Sequence, residues 1–112
     1  MHDSPPGWSA EPFGPALRAA MRAAGLSFRA LETRTLVPVG NLHDHVSGRR
    51  GVPGDALLCR IAAGVGVEPW YFREYRERRL VEALRAAPDL EMALSRMVRD
   101  GRIGPGLTMP PA

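Results

Sequence analysis

Lysine is missing altogether: all 15 basic side chains of this 112-residue chain are arginine. With alanine, glycine and proline plentiful, that bias reflects genome composition before chemistry and carries no functional weight. Cysteine is nearly missing as well. The lone Cys59 excludes an intramolecular disulfide and a cysteine-based zinc site, and it points to a reducing interior. No run of about eighteen apolar residues occurs, so no spanning helix is expected. Met1 to Pro12 lacks a basic start followed by an apolar run, so no secretion leader is expected, and the expected location is cytoplasmic without a membrane partner. Catalytic patterns are missing too: there is no nucleophile with its base, no paired-carboxylate motif and no cofactor fingerprint. Gly64 and Gly66 are too sparse for a phosphate-binding loop. His43 and His45, two residues apart, point to different helix faces with no third ligand, so neither a metal nor a cofactor is expected, nor a small-molecule ligand. On these absences an enzyme is not expected.

What is present suits one small all-α domain. The hydrophobic content of 45% and charged content of 24% are those of a globular chain, and the net charge of +3 is mildly basic but uneven. Arg18, Arg22, Arg29, Arg34, Arg49 and Arg50 stand against Glu32 and Asp44 between Leu17 and Gly54, the distribution that a polyanion would meet.

Residues 1–14 hold Pro5, Pro6, Gly7, Pro12 and Gly14 and read as a flexible arm, in which Trp8 and Phe13 pack back on the helices. Pro15 opens a helix to about Ala24, with Leu17, Ala20, Met21 and Ala24 on one face. Ser27 caps a second helix through Thr35, anchored by Phe28 and Leu31. A third lies between Val37 and Ser47; it starts either at Pro38 or, with Asn41 as its cap, at Leu42. Pro53 and Asp55 open a fourth with the apolar stripe Leu57, Leu58, Ile61, Ala62 and Val65, flanked by Cys59. A fifth runs from Pro69 to about Ala87 and a sixth from Pro88 to near Gly101. Residues 102–112 read as a disordered tail. The expected divisions are therefore 1–14, 15–68, 69–101 and 102–112.

Between Gly25 and Pro53 two short helices joined by a tight connection end in Gly48-Arg49-Arg50, an arrangement suited to delivering a helix to the DNA major groove. From about Phe13 to Tyr75 the chain resembles the phage-repressor-like, XRE-type helix-turn-helix family. The residues that carry the resemblance are Leu17-Arg18, Gly25-Leu26-Ser27, Leu31, Val37, Leu42, Gly48-Arg49-Arg50, Pro53, Leu57, Ile61-Ala62 and Val65-Gly66-Val67, and its specificity lies in their spacing. The resemblance implies a five-helix domain, here with an added C-terminal helix, that binds double-stranded operator DNA as a homodimer through its third helix and regulates transcription, in the first instance as a repressor.

Carried onto this chain, the family pattern turns Pro38, Val39, Gly40, Asn41, His43 and Asp44 toward the groove. Val39, Gly40, Asn41, His43 and Asp44 become the base contacts, Asn41 suited to adenine and His43 to guanine. Arg18, Ser27, Arg29, Arg49 and Arg50 become the phosphate contacts. Trp70, Phe72, Tyr75, Leu80, Leu84, Leu94 and Met97 offer more apolar surface than one small core needs and are expected to join two copies.

Departures from the pattern are instructive. An Arg and Glu pair of the family is replaced by Met21 and Val46, a coordinated exchange compatible with an intact core. Glu32 stands where a small residue is expected and Leu36 where a turn glycine is expected. Glu32 and His45 either face each other as a pair between helices two and three, or Val46 takes the buried place and His45 points to water. With Gly40 and Asp44, Glu32 and Leu36 also favour an alternative, a protein-interaction module on the same fold that has lost operator reading.

Overall fold

The computed structural model describes residues 7–104, and every regular element among them is helical. The six α-helices are α1 (Phe13–Ala24), α2 (Phe28–Thr35), α3 (Val39–Ser47), α4 (Asp55–Val65), α5 (Arg73–Arg85) and α6 (Pro88–Arg99), with a 3₁₀ turn at Pro69–Tyr71. The chain divides into two compact units, one ending at Arg78 and the other beginning at Arg79.

The core of the first unit comes from apolar positions at helical spacing. Phe13, Ala16, Leu17, Ala20 and Met21 of α1, Leu31 of α2, Leu42 and Val46 of α3, and Leu58, Ile61, Ala62 and Val65 of α4 are all buried. Met21 and Val46 thus fill, as hydrophobes, the places that the resemblance gives to an ion pair. Ala24, expected on the same face of α1, is exposed. Two glycines let helices approach closely. A Cβ on Gly14 would run into the backbone carbonyl of Val46 in α3, and one on Gly64 would run into Thr35 and Leu31 of α2.

The N-terminal segment departs from the expected arm. Residues 1–6 lie outside the described residues, but from Trp8 onward the chain is tied down. The Ser9 amide donates to the Tyr71 carbonyl (2.9 Å), and Arg76 donates to the carbonyls of Ser9 (2.7 Å), Trp70 (2.8 Å) and Tyr71 (2.9 Å). Trp8 stacks on Trp70 with the Arg76 guanidinium 5.3 Å from its ring centre. Helix α1 starts at Phe13 rather than Pro15. Pro15 is its third residue, where an amide still lacks an intrahelical partner, so its missing hydrogen costs no bond. At the other end, a turn at residues 100–101 closes α6 and the Arg102 amide donates back to Met97 O (2.8 Å), residues 102–104 follow as a bend, and the rest of the expected tail, 105–112, lies outside the described residues.

The helix expected from Pro69 is broken at Phe72. Its backbone is extended (φ −87°, ψ 129°), and this turns the ring into the core, fully buried with its centre 4.7 Å from that of Phe13. Phe72 is therefore a core residue of one protomer and not a surface for joining two. Tyr71 beside it is buried and donates to the Ala16 carbonyl at 3.1 Å. Burial pushes its phenol above the ordinary 10.0, and a hydrogen bond with Ser9 partly opposes that. The unfolded chain then loses this proton before the folded one does. The contribution to stability is full below the unfolded value of 10.0 and is lost as pH rises through the folded value. Tyr71→Phe should cost about 1 kcal/mol at neutral pH and make the fall in stability above pH 10.0 shallower, as read from denaturant melts across that range.

Helices α1, α3 and α4 each stop on a left-handed glycine, whereas α2 stops on Leu36 (φ 62°, ψ 22°), the one described non-glycine with positive φ. Its side chain is 79% exposed and compensates by no packing. Leu36→Gly is therefore expected to stabilise the fold by about 1 kcal/mol, seen as a higher denaturation midpoint at unchanged slope.

In the second unit no residue of α6 is buried. Leu84, Leu94 and Met97 are half-buried, and Leu80, Val81, Leu90 and Val98 are exposed.

Candidate nucleic-acid interface

Helices α2 and α3 are joined by only Leu36, Val37 and Pro38. Ser27 caps α2, its hydroxyl oxygen accepting from the Ala30 amide at 3.1 Å. The connection is fixed from within: Thr35 Oγ1 donates to the Leu31 carbonyl (2.8 Å) and accepts from the Val37 amide (3.2 Å), while Val37 is buried. Pro38 has no side chain able to cap α3. Glu32 supplies the missing acceptor from the neighbouring helix, its Oε2 lying 3.3 Å from the Val39 amide, the first of α3. A carboxylate there also meets the positive end of the α3 dipole, an interaction worth about 0.3–1 kcal/mol. Helix α3 thus starts after Pro38; the alternative start at Leu42 is set aside.

Leu42, His45 and Val46 bury one side of α3. On the other, Pro38, Gly40 and His43 are exposed and Val39, Asn41 and Asp44 are half-buried. His43 lies against Phe28 of α2, ring centres 4.0 Å apart, and the Arg18 guanidinium of α1 sits 6.0 Å from the Phe28 ring centre. Three helices are thereby registered by one stack of cation, aromatic and imidazole. Beyond the C-terminal end of α3, Arg49 and Arg50 return toward that helix. Arg50 Nη2 donates to Asn41 Oδ1 (3.1 Å) and lies 4.0 Å from Asp44 Oδ2, and Arg49 Nη1 lies 3.6 Å from Asp44 Oδ1. Exposed ion pairs of this length are weak, so Arg49, whose side chain has no other contact among the described residues, can exchange partners. Arg18, Arg22 and Arg29 are exposed.

Neither reading of Glu32 and His45 describes the packing. Glu32 is engaged by the α3 amide, and His45 Nδ1 is 2.8 Å from the Gly51 carbonyl, which pins the loop after α3 back onto that helix. His45 and Val46 are both buried. An adjacent carbonyl competed for the imidazole, and the spacing of the sequence does not display it. In sequence Phe28 shows only an anchoring role, and two ties between α2 and α4 are not visible there: Arg34 donates to Gly64 O (3.1 Å) and Arg60 to Thr35 O (2.8 Å). Both are long side chains reaching backbone carbonyls more than twenty residues away in sequence, so no local pattern reveals them. Compared with known families, with curated proteins and with solved structures, the chain finds no significant match in any of the three.

Proposed function

We propose that this chain is a sequence-specific DNA-binding transcriptional regulator of the helix-turn-helix kind, with α2 and α3 as the two helices and α3 entering the major groove. The observation that carries this reading is the Arg18, Phe28 and His43 stack. It sets a cation of α1, the capped N-terminal turn of α2 and the exposed side of α3 on one surface, flanked by Arg49 and Arg50. Arg18, Arg29 and Arg49 are suited to phosphates, with Ser27 at the N-terminus of α2, and Asn41, His43 and Asp44 to base edges. The half-buried and exposed apolar residues Leu80, Leu84, Leu94 and Met97 are suited to joining two copies.

Counterion release makes such binding strongly salt-dependent, with a log-log slope of roughly 0.9 per phosphate neutralised. Titrating duplex of mixed sequence at increasing salt should give a steep slope, and Arg18→Ala, Arg29→Ala and Arg49→Ala should each reduce it by about one such increment. The second reading, a protein-interaction module, draws on the 79% exposure of Leu36 at the head of α3 and on the engagement of Arg49 and Arg50 by Asp44. Absence of duplex affinity at low salt would favour it.

A further inference from the structure

Arg49 and Arg50 look interchangeable in sequence, but they meet α3 differently. Arg49 is tied by its amide, which donates to Ser47 Oγ (3.3 Å), but its side chain is 79% exposed and makes one long contact, to Asp44 at 3.6 Å. Arg50 is held at three points. Its amide donates to the Asp44 carbonyl (3.1 Å), its guanidinium donates to Asn41 Oδ1 (3.1 Å), and the same nitrogen lies 4.0 Å from Asp44 Oδ2. Asn41 and Asp44 are three residues apart and so share one side of α3.

The bond to Asn41 has a direction. A guanidinium only donates, so the amide must turn its oxygen to Arg50, and its Nδ2 amino group has no partner among the described residues. A free asparagine reads adenine by accepting from N6 and donating to N7 together. An asparagine whose oxygen is already committed to an arginine presents chiefly its donor. That donor finds two acceptors on guanine, O6 and N7, and one on thymine, O4; adenine also offers N7, but beside an N6 amino donor that the committed oxygen no longer receives.

We infer that Arg50 is a positioning residue: it orients the Asn41 amide nitrogen outward and thereby biases α3 toward guanine or thymine over adenine at the base that Asn41 meets. This rests on the DNA-binding reading above and adds to it a division of labour, in which Arg49 serves phosphate and Arg50 serves Asn41. Lysine in place of Arg50 separates the roles. It keeps the charge but is a compact point donor on a flexible stem, without the planar fork that spans Asn41 and Asp44.

The test selects preferred duplexes from a randomised pool with the full chain, with Arg50→Lys and with Arg49→Ala, and measures the salt slope of each. The expected result is that Arg50→Lys keeps the wild-type slope but loses roughly tenfold in discrimination against adenine at one position, whereas Arg49→Ala keeps the base preference and flattens the slope. The contacts are exposed, so Arg50→Lys should melt like the wild type. In the DNA-free protein, the Asn41 side-chain amide should give a resolved, restrained NMR pair that becomes averaged in Arg50→Lys. Retention of the full base preference by Arg50→Lys overturns the inference and leaves DNA binding standing. An Asn41 amide that is already averaged in the wild type overturns it without reference to DNA, and an absence of duplex affinity in all three proteins overturns both.

Discussion

Phe72→Ala is expected to destabilise the protein by about 3–5 kcal/mol, the range for emptying a fully buried phenylalanine site. The ring packs on Phe13 at 4.7 Å and edge-on to Tyr71 at 5.1 Å, so its removal leaves space bounded by α1 on one side and by the 3₁₀ turn on the other. Little there can collapse inward, because Tyr71 is held by its hydrogen bond to Ala16 and α1 is held against α3. Val52→Ala, at a residue 38% exposed in the loop between α3 and α4, is the control and should leave stability within about 0.5 kcal/mol. Chemical denaturation of the two variants reads the difference directly. If Phe72 instead lay between two copies, Phe72→Ala would shift sedimentation toward the monomer with little loss of monomer stability.

Phe72 also illustrates what periodicity can and cannot tell. The four helices from Phe13 to Val65 were legible in outline because apolar residues recur at three- and four-residue spacing and Gly25, Gly48 and Gly66 end three of them, whereas the start of α3 stayed open between Pro38 and Leu42 and α2 has no terminal glycine. Beyond Pro69 the aromatic run Trp70-Tyr71-Phe72 gave no phase, and the choice between one long helix and a turn followed by a helix was made by tertiary packing. The same is true at the N-terminus. Proline density marked residues 1–14 as an arm, but Phe13, at the right spacing from Ala16, Leu17 and Ala20, had enough apolar surface to extend α1 by a half-turn past Pro15.

For the candidate interface, residue types were legible and partners were not. The exposed side of α3 contains residues that the family resemblance picks out, with Gly40 and His43 exposed and Asn41 and Asp44 half-buried. Glu32 looked like a defect because the sequence shows only that a carboxylate replaces a small side chain. In the fold it offsets a second oddity, a helix whose first turn follows a proline unable to cap it. Two departures that each look unfavourable alone are thus one compensated feature. Leu36 has no such partner, and its left-handed backbone stays a local cost.

Gly14→Ala and Gly40→Ala should move stability in opposite directions. Both glycines lie inside helices at negative φ, where alanine is intrinsically better by roughly 0.5–1 kcal/mol. At Gly40 an added Cβ meets nothing within 4 Å, so the propensity gain is realised and α3 becomes more stable by about that amount. At Gly14 the added carbon runs into the Val46 carbonyl, with the carbonyl carbon only 3.0 Å away. A side chain could swing aside, but a backbone oxygen in the last turn of α3 moves only if the helix moves. Overpacking against an unyielding neighbour costs typically about 1–3 kcal/mol, which exceeds the propensity gain, so Gly14→Ala is expected to be destabilising by roughly 1–2 kcal/mol net. The strain falls on Val46 and its neighbour His45, whose bond to the Gly51 carbonyl holds the loop that carries Arg49 and Arg50. Denaturant melts of the two variants supply the signs, and backbone amide shifts of residues 45–51 report where the strain goes. A Gly14→Ala protein as stable as Gly40→Ala would mean that α1 and α3 are not packed as closely as Gly14 requires.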